Sequence, residues 1–255
     1  MAPDLLNHPL ITERYFFPRP DYFESPFWVD CKDARLACYF HNVDEAAPTL
    51  VHFHGNGEVV GDYIGWFTEK IGEWGYNTLL AEYRGYGMST GVPGLGHILG
   101  DIEPLVESLQ IPSHKLVFFG RSLGSIPAIH AASRYPDVAG LVLESSIADP
   151  LERLLLRLAP EELGLSGTEL AEIVDLHLNH RAKLGQYRGP ALIMHTQYDG
   201  LIDPLHANLI KDWLGGPSTL RIFPHGNHND IMMVNRLEYF DLLSNFLRNT
   251  FQTDN

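Results

Sequence analysis

Gly120-Arg121-Ser122-Leu123-Gly124 places a serine hydroxyl between two glycines. It follows the apolar run Leu116-Val117-Phe118-Phe119 and precedes Ile126-Pro127-Ala128-Ile129-His130-Ala131-Ala132. The run reads as a buried strand and the later stretch as a helix. Ser122 then falls on the sharp turn between them, where its hydroxyl stands clear of the sheet. Glycine is needed at 120 and 124, because a Cβ there would meet the neighbouring strand and helix. A serine so placed is a candidate nucleophile for acyl transfer. It is weak unless a base takes its proton and a carboxylate orients that base.

Both partners are found downstream, in the order serine, acid, histidine that accompanies such an elbow. Asp199, in His195-Thr196-Gln197-Tyr198-Asp199-Gly200, follows a strand and is the favoured acid. Its rival Asp203 precedes Pro204 and a helical run, the pattern of a helix cap with proline at the first helical position. Asp149 and Glu144 are lesser alternatives. The base is expected in Phe223-Pro224-His225-Gly226-Asn227-His228-Asn229-Asp230, past the last strand. His225 and His228 both qualify by position. His228, beside the start of the final helix, is favoured, and His225 reads as a solvated loop residue.

Acyl transfer also needs donors aimed at the developing oxyanion, worth about 3 kcal/mol each in the transition state. The backbone N–H of Leu123 lies at a helix N-terminus, where the dipole favours negative charge. A second N–H is expected from His54-Gly55-Asn56-Gly57, with Asn56 first and Gly57 second. Glu58 is awkward there, since a carboxylate would oppose an oxyanion. Turned outward, it would complement the first turn of the next helix.

These groups need a scaffold, and the chain supplies one. Strands are expected at 27–29, 36–40, 49–53, 77–83, 116–119, 138–144, 191–195 and 219–223. Helices are expected at about 59–74, 100–109 and 230–251 and after the elbow. Short, continuously apolar strands separated by helices mark a mostly parallel α/β sheet of about eight strands, covered on both faces. Ligands bind beyond the carboxyl ends of such strands, where every chemically suggestive loop here lies. The segment 149–188 breaks the alternation. Leu151, Leu154, Leu155 and Leu158 suit a helix stopped by Pro160, and 169–181 suits a second, so a short helical cap or lid over the site is expected. Two packing helices remote from the site are the alternative.

A formal charge of −14 leaves no basic stripe for nucleic acid and disfavours an anionic membrane surface. No apolar run approaches the roughly 20 residues of a membrane span. Residues 1–8 show neither a basic nor an apolar leader region, so no signal peptide is expected. Cys31 and Cys38 are expected as reduced thiols in a cytoplasmic protein. Thirteen histidines include the pairs His52/His54, His177/His180 and His225/His228, but without His-Glu-x-x-His no metal is expected, nor any cofactor. Arg84-Gly85-Tyr86-Gly87 lacks the phosphate-loop patterns and reads as a tight turn beside the site, with Arg84 in a structural ion pair. Tyr63, Trp66 and Tyr86 read as core or pocket wall.

Four pieces together carry a family resemblance. They are Phe53-His54-Gly55-Asn56-Gly57-Glu58, Tyr83-Arg84-Gly85-Tyr86-Gly87-Met88-Ser89, Gly120-Arg121-Ser122-Leu123-Gly124 and Gly226-Asn227-His228-Asn229-Asp230. Over nearly its whole length the chain resembles α/β-hydrolase-fold serine hydrolases. It is similar to the palmitoyl-protein thioesterase-like and dipeptidyl-peptidase-related small hydrolases. The resemblance implies Ser122 as nucleophile, His228 as base, Asp199 as orienting acid, and Asn56 and Leu123 as the oxyanion hole. Many members carry a small residue where Glu58 stands; facing the pocket, Glu58 would select a cationic group. The expected activity is hydrolysis of a small carboxylic ester or thioester through an acyl-enzyme. A small-peptide or amide hydrolase is the first alternative, and a non-catalytic binding protein the second.

Overall fold

The computed structural model describes residues 5–252. Eight strands form one sheet: β1 (Phe27–Cys31), β2 (Ala34–His41), β3 (Thr49–Phe53), β4 (Asn77–Ala81), β5 (Leu116–Arg121), β6 (Gly140–Glu144), β7 (Ala191–Thr196) and β8 (Ser218–Phe223). Their order is β1-β2-β4-β3-β5-β6-β7-β8. Only the β1–β2 and β2–β4 pairings are antiparallel; from β4 to β8 the strands run parallel. All eight expected strands are present.

The central strands are buried from end to end, and alternate residues feed two cores. Val51, Phe118, Leu141 and Ile193 pack into one, whereas Leu50, Val117, Phe119, Val142 and Leu192 pack into the other. Period-two alternation with both faces apolar is why these strands read as unbroken hydrophobic runs.

Helices differ from expectation mainly by being interrupted. The stretch 59–74 is a 3-10 turn, Val60–Asp62, followed by α2 (Trp66–Glu73), because Gly65 stands at φ +81° between them. The expected helix at 100–109 is α4 (Ile102–Ser108), and α3 (Leu95–Gly100), which had no sequence reading, precedes it. After the elbow comes α5 (Ser125–Arg134), and between β7 and β8 lies α9 (Leu205–Trp213). The last expected helix is α10 (Ile231–Val234) and α11 (Arg236–Gln252).

A second helix without a sequence reading is α1 (Pro9–Tyr15), with Pro9 at its first position and the His8 side chain accepting from the Leu10 N–H. That proline-led cap was the missed signal. Between β6 and β7 lie α6 (Pro150–Leu155), a 3-10 turn at Pro160–Leu163, α7 (Gly167–Leu178) and α8 (His180–Gln186). The helix expected over 169–181 therefore breaks at Asn179, whose side chain caps α8 through the Ala182 N–H.

Cys31 and Cys38 are both free. In the hairpin register Cys31 lies opposite Ala34 and Cys38 opposite Phe27, so the two are not cross-strand partners. Among the described residues, no helix is long and apolar enough to cross a membrane.

Candidate active site

Parallel strands bring their carboxyl ends to one edge, and that edge assembles the site. Ser122 follows β5 directly at φ +51°, the left-handed region. Such a backbone costs an L-residue about 1–3 kcal/mol and persists only where its surroundings enforce it. Here they do. A Cβ on Gly120 would stand 2.4 Å from the Gly124 carbonyl oxygen, and one on Gly124 would stand 2.0 Å from that of Phe53. The elbow is pressed against both α5 and β3, and only glycine fits either position. The Ser125 hydroxyl donates to the Ser122 carbonyl at 2.6 Å and accepts from the Ile147 N–H at 3.0 Å, tying the turn to the loop after β6.

His228 Nε2 lies 2.9 Å from Ser122 Oγ, and its Nδ1 lies 2.7 Å from Asp199 Oδ2. All three residues are buried, with Ser122 the most accessible at 9%. The other Asp199 oxygen accepts from the N–H groups of Leu201 and Ile202, at 2.9 and 2.8 Å. Burial pushes the Asp199 carboxyl up, but its hydrogen bonds to His228 and to these amides outweigh that and hold it below its usual range. An ionised Asp199 accepts from Nδ1–H, which leaves Nε2 free to accept the serine proton. His195 packs beneath, with Nε2 2.9 Å from the Ile202 carbonyl and 3.4 Å from Asp199; burial lowers its pKa and keeps it neutral.

The rival acids are engaged elsewhere. Asp203 accepts from the Leu205 N–H ahead of α9 and so caps that helix. Asp149 caps α6 through the Glu152 N–H. Glu144 is fully buried at the end of β6, between Arg121 and the Tyr239 hydroxyl. The His225 carbonyl accepts from the Asn235 side chain, and His225 is not among the residues lining the cavity beside Ser122.

Asn56 and Leu123 both line that cavity. The Asn56 side chain is committed to other partners: its amide donates to the Tyr15 carbonyl, and its oxygen accepts from the Phe17 N–H and the Tyr86 hydroxyl. Its backbone N–H alone remains for the oxyanion role expected of it.

Glu58 corrects the sequence expectation. It neither turns outward nor faces the pocket. Its carboxylate pairs with Arg121 and accepts from the Gly55 N–H at 2.6 Å and the Tyr63 hydroxyl at 2.7 Å. The carboxylate thus clamps the loop that carries Asn56, with its charge neutralised by Arg121, the residue before Ser122. Its partners come from elements distant in sequence, which is why local reasoning missed them.

The remaining candidates are structural. His52 lies among the rings of Tyr63, Phe67 and Phe119, and burial holds its pKa well below the usual value. His54 pairs with Glu82 at 2.7 Å; burial opposes its protonation, but Glu82 outweighs that and raises the pKa. Arg84 forms a bidentate pair with Asp101, at 2.8 and 2.7 Å, as the structural ion pair expected. Tyr63 and Tyr86 are core residues, whereas Trp66 is 45% exposed. Among the described residues no group of three or more His, Cys, Asp or Glu side chains could hold a metal ion.

The cavity beside Ser122 has a volume of about 280 Å³. Leu95, Ile126, Ile147 and Leu154 supply apolar wall. Sequence reasoning missed Tyr15 and Phe17 from the N-terminal segment, and Arg153 and Arg157 from α6 and the turn after it. None carries a motif; only the path of the chain brings them to the site. Of the segment between β6 and β7, Pro150, Arg153, Leu154 and Arg157 reach this cavity, while α7 and α8 contribute nothing to its lining.

A family model described as serine aminopeptidase, S33, matches residues 44–167, just under half the chain and inclusive of Ser122. The alpha/beta hydrolase domain-containing protein aho-3 of Caenorhabditis elegans is 26% identical over 218 residues, covering 84% of this chain and 61% of that protein. Alpha/beta hydrolase domain-containing protein 17C of Mus musculus is 24% identical over 241 residues, covering 89% of this chain and 68% of its own. Among solved structures, Est1E from Butyrivibrio proteoclasticus, with ferulic acid bound, superposes with a TM-score of 0.72 at 19% identity, covering 88% of this chain and 98% of that one. A Paleococcus ferrophilus monoacylglycerol lipase superposes at 0.66 and 19%, covering 84% and 99%.

Proposed function

Because the chain has the α/β-hydrolase fold, we propose that it is a serine hydrolase cleaving carboxylic esters or thioesters through an acyl-enzyme. The observation that carries this reading is the relay from Ser122 Oγ to His228 Nε2 and from Nδ1 to Asp199, at 2.9 and 2.7 Å, beside a cavity able to hold a small acyl compound.

In this mechanism His228 Nε2 takes the hydroxyl proton as Ser122 Oγ attacks the carbonyl carbon. The oxyanion is received by the backbone N–H groups of Asn56 and Leu123. Asp199 holds the imidazole in the required tautomer and stabilises the imidazolium. Collapse of the tetrahedral intermediate breaks the bond to the alcohol or thiol, which leaves with the proton from Nε2. Water then gives a proton to His228 and attacks the acyl-serine, and a second collapse restores Ser122 and releases the acid. The 149–188 insertion caps the site, with α6 as the part that touches substrate. Two free cysteines suit a reducing compartment, and a cytoplasmic location belongs to this reading.

Peptide or amide cleavage is the second reading, favoured by the description of the matching family model. The cavity lining opposes an aminopeptidase. Binding a substrate α-ammonium calls for a carboxylate, and no Asp or Glu among the described residues lines the cavity.

The test is hydrolysis of p-nitrophenyl butyrate and of alanine p-nitroanilide by the parent and by Ser122→Ala. The proposal expects ester turnover that falls at least about a thousandfold in the variant. Anilide turnover without ester turnover would establish the second reading. Equal rates in parent and variant would exclude Ser122 chemistry altogether.

A further inference from the structure

The cavity beside Ser122 is electrostatically opposite to the molecule around it. The chain carries 32 Asp and Glu against 18 Lys and Arg, yet the cavity lining includes Arg121, Arg153 and Arg157 and no carboxylate among the described residues. Arg121 is neutralised by Glu58 and Glu144. The other two are not.

Arg153 lies on α6, and Arg157 lies two residues beyond its end. The acidic groups near them in sequence are occupied elsewhere. Asp149 caps α6, Glu152 lies 3.3 Å from His206 Nε2, and Glu162 pairs with Arg14 at 2.7 Å. The Arg153 guanidinium has no hydrogen-bond or ion-pair partner among the described residues. Arg157 lies over the rings of Tyr15 and Phe17, 5.8 and 5.4 Å from their centroids, and one of its nitrogens donates to the Arg14 carbonyl at 3.0 Å. A guanidinium offers five N–H donors in a planar fork matched to carboxylate and phosphate. Most of the Arg157 fork is therefore unspent, and it is held in place by stacking.

We infer that the physiological substrate is an anionic ester or thioester, whose carboxylate or phosphate group is held by Arg153 and Arg157 while its carbonyl lies against Ser122. The inference rests on the serine-hydrolase reading and narrows it to a substrate class. Leu95, Ile126, Ile147 and Leu154 receive the apolar part between the anion and the scissile bond. The volume, about 280 Å³, lies just below the roughly 300–1,000 Å³ typical of ligand pockets. A compact anionic acyl compound fits it better than a long neutral lipid.

The experiment has a binding arm and a kinetic arm. In the Ser122→Ala background, which should bind without turnover, monobutyl glutarate is titrated against butyl methyl glutarate, which differs by a methyl cap on the carboxylate. A phosphonate analogue of the monoester separates phosphate from carboxylate preference. Binding of at least one anion about tenfold tighter than the capped ester is expected, as charge-assisted hydrogen bonds would give. Arg153→Gln should remove most of that difference, Arg153→Lys should restore part of it, and Arg181→Gln, outside the cavity, should leave it intact. Equal binding of capped and uncapped esters, or an anion preference that survives Arg153→Gln, overturns the inference.

The kinetic arm compares kcat/KM for mono-p-nitrophenyl glutarate, its phosphonate analogue and 3-carboxy-4-nitrophenyl butyrate with that for p-nitrophenyl butyrate. At least one anionic ester should be preferred, through a lower KM, and the ratio should collapse in Arg153→Gln. Serine-dependent turnover with no preference defeats the anionic substrate alone. Anion-selective binding with no turnover of any ester defeats the hydrolase reading alone.

Discussion

Arg121 Nη2 donates a 2.9 Å hydrogen bond to the backbone carbonyl of His228, 107 residues away in the chain. The residue before Ser122 therefore fixes the backbone of His228. The same guanidinium pairs with Glu58, which holds the Asn56 loop, and with fully buried Glu144. One side chain ties together the ends of β3, β5, β6 and β8.

Replacing Arg121 by Met should be severely destabilising, because Glu58 and Glu144 would be left without a cation in a buried site. Breaking a buried pair in this way costs about 3–5 kcal/mol. Denaturant unfolding measures it, and Arg121→Met combined with Glu144→Gln should recover part of the loss. An unchanged unfolding midpoint for Arg121→Met would contradict the role given to this network.

Asp199→Asn should preserve the fold and lower kcat by about 10⁴. The amide would favour the wrong imidazole tautomer, as its NH₂ would face Nδ1. Asp203→Asn, at the helix cap, should change kcat little and stability by at most about 1 kcal/mol. If the two variants lose activity equally, the acid has been misassigned.

Gly124→Ala should be far worse than an ordinary surface substitution. Its Cβ would lie 2.0 Å from the Phe53 carbonyl oxygen and 2.8 Å from that of His54, both backbone atoms. Relief requires β3 and the elbow to separate, which would move Asn56 away from Ser122. Overpacking of this kind costs typically about 1–3 kcal/mol, and thermal unfolding together with ester turnover would register it. Activity and Tm close to the parent's would show that the elbow tolerates this movement.

His180 bears on acid stability. It is 2% exposed, its Nδ1 lies 2.9 Å from the Ile147 carbonyl, and burial, aided by Lys183, lowers its pKa to about 3. Unfolded, it would titrate near about 6.5. Between these values the unfolded chain binds the extra proton. The stability that neutral His180 contributes is complete above about pH 6.5 and is lost as pH falls toward about 3. Unfolding free energy measured from pH 7 to pH 4 should therefore fall more steeply in the parent than in His180→Asn. Parallel curves would exclude His180 as a source of the acid sensitivity.

The thiols should be inert at neutral pH. Burial pushes Cys31 up to about 12 and Cys38 higher still, so little thiolate is present to react. Iodoacetamide at pH 7.5 should leave ester turnover unchanged over hours, with mass spectrometry reading the extent of alkylation. Rapid labelling of Cys31 would show that its environment opens.

The amino-acid sequence alone determined the eight strands and the elbow at Ser122, and it singled out Asp199 and His228, which the fold links to the serine by hydrogen bonds. These are signals of local order: apolar runs of strand length, glycines at fixed offsets, and loops directly following strands. In a parallel sheet all carboxyl ends share an edge, so local order there fixes which loops meet. Helix breaks at Gly65, Asn179 and Asn235 were less legible, because the apolar stripe continues across them while the backbone does not.

Tertiary structure alone decided what Glu58, Arg153 and Arg157 do. Glu58 was readable as an outward helix complement or as a pocket acid, and is neither, because Arg121 lies beside it only once β3 and β5 pair. Arg153 and Arg157 carry no motif and reach the Ser122 cavity only through the path the chain takes between β6 and β7. The charge beside Ser122, unlike the elbow that carries it, depends on which distant side chains are left unpaired after folding, and pairing across a fold is not written in local spacing.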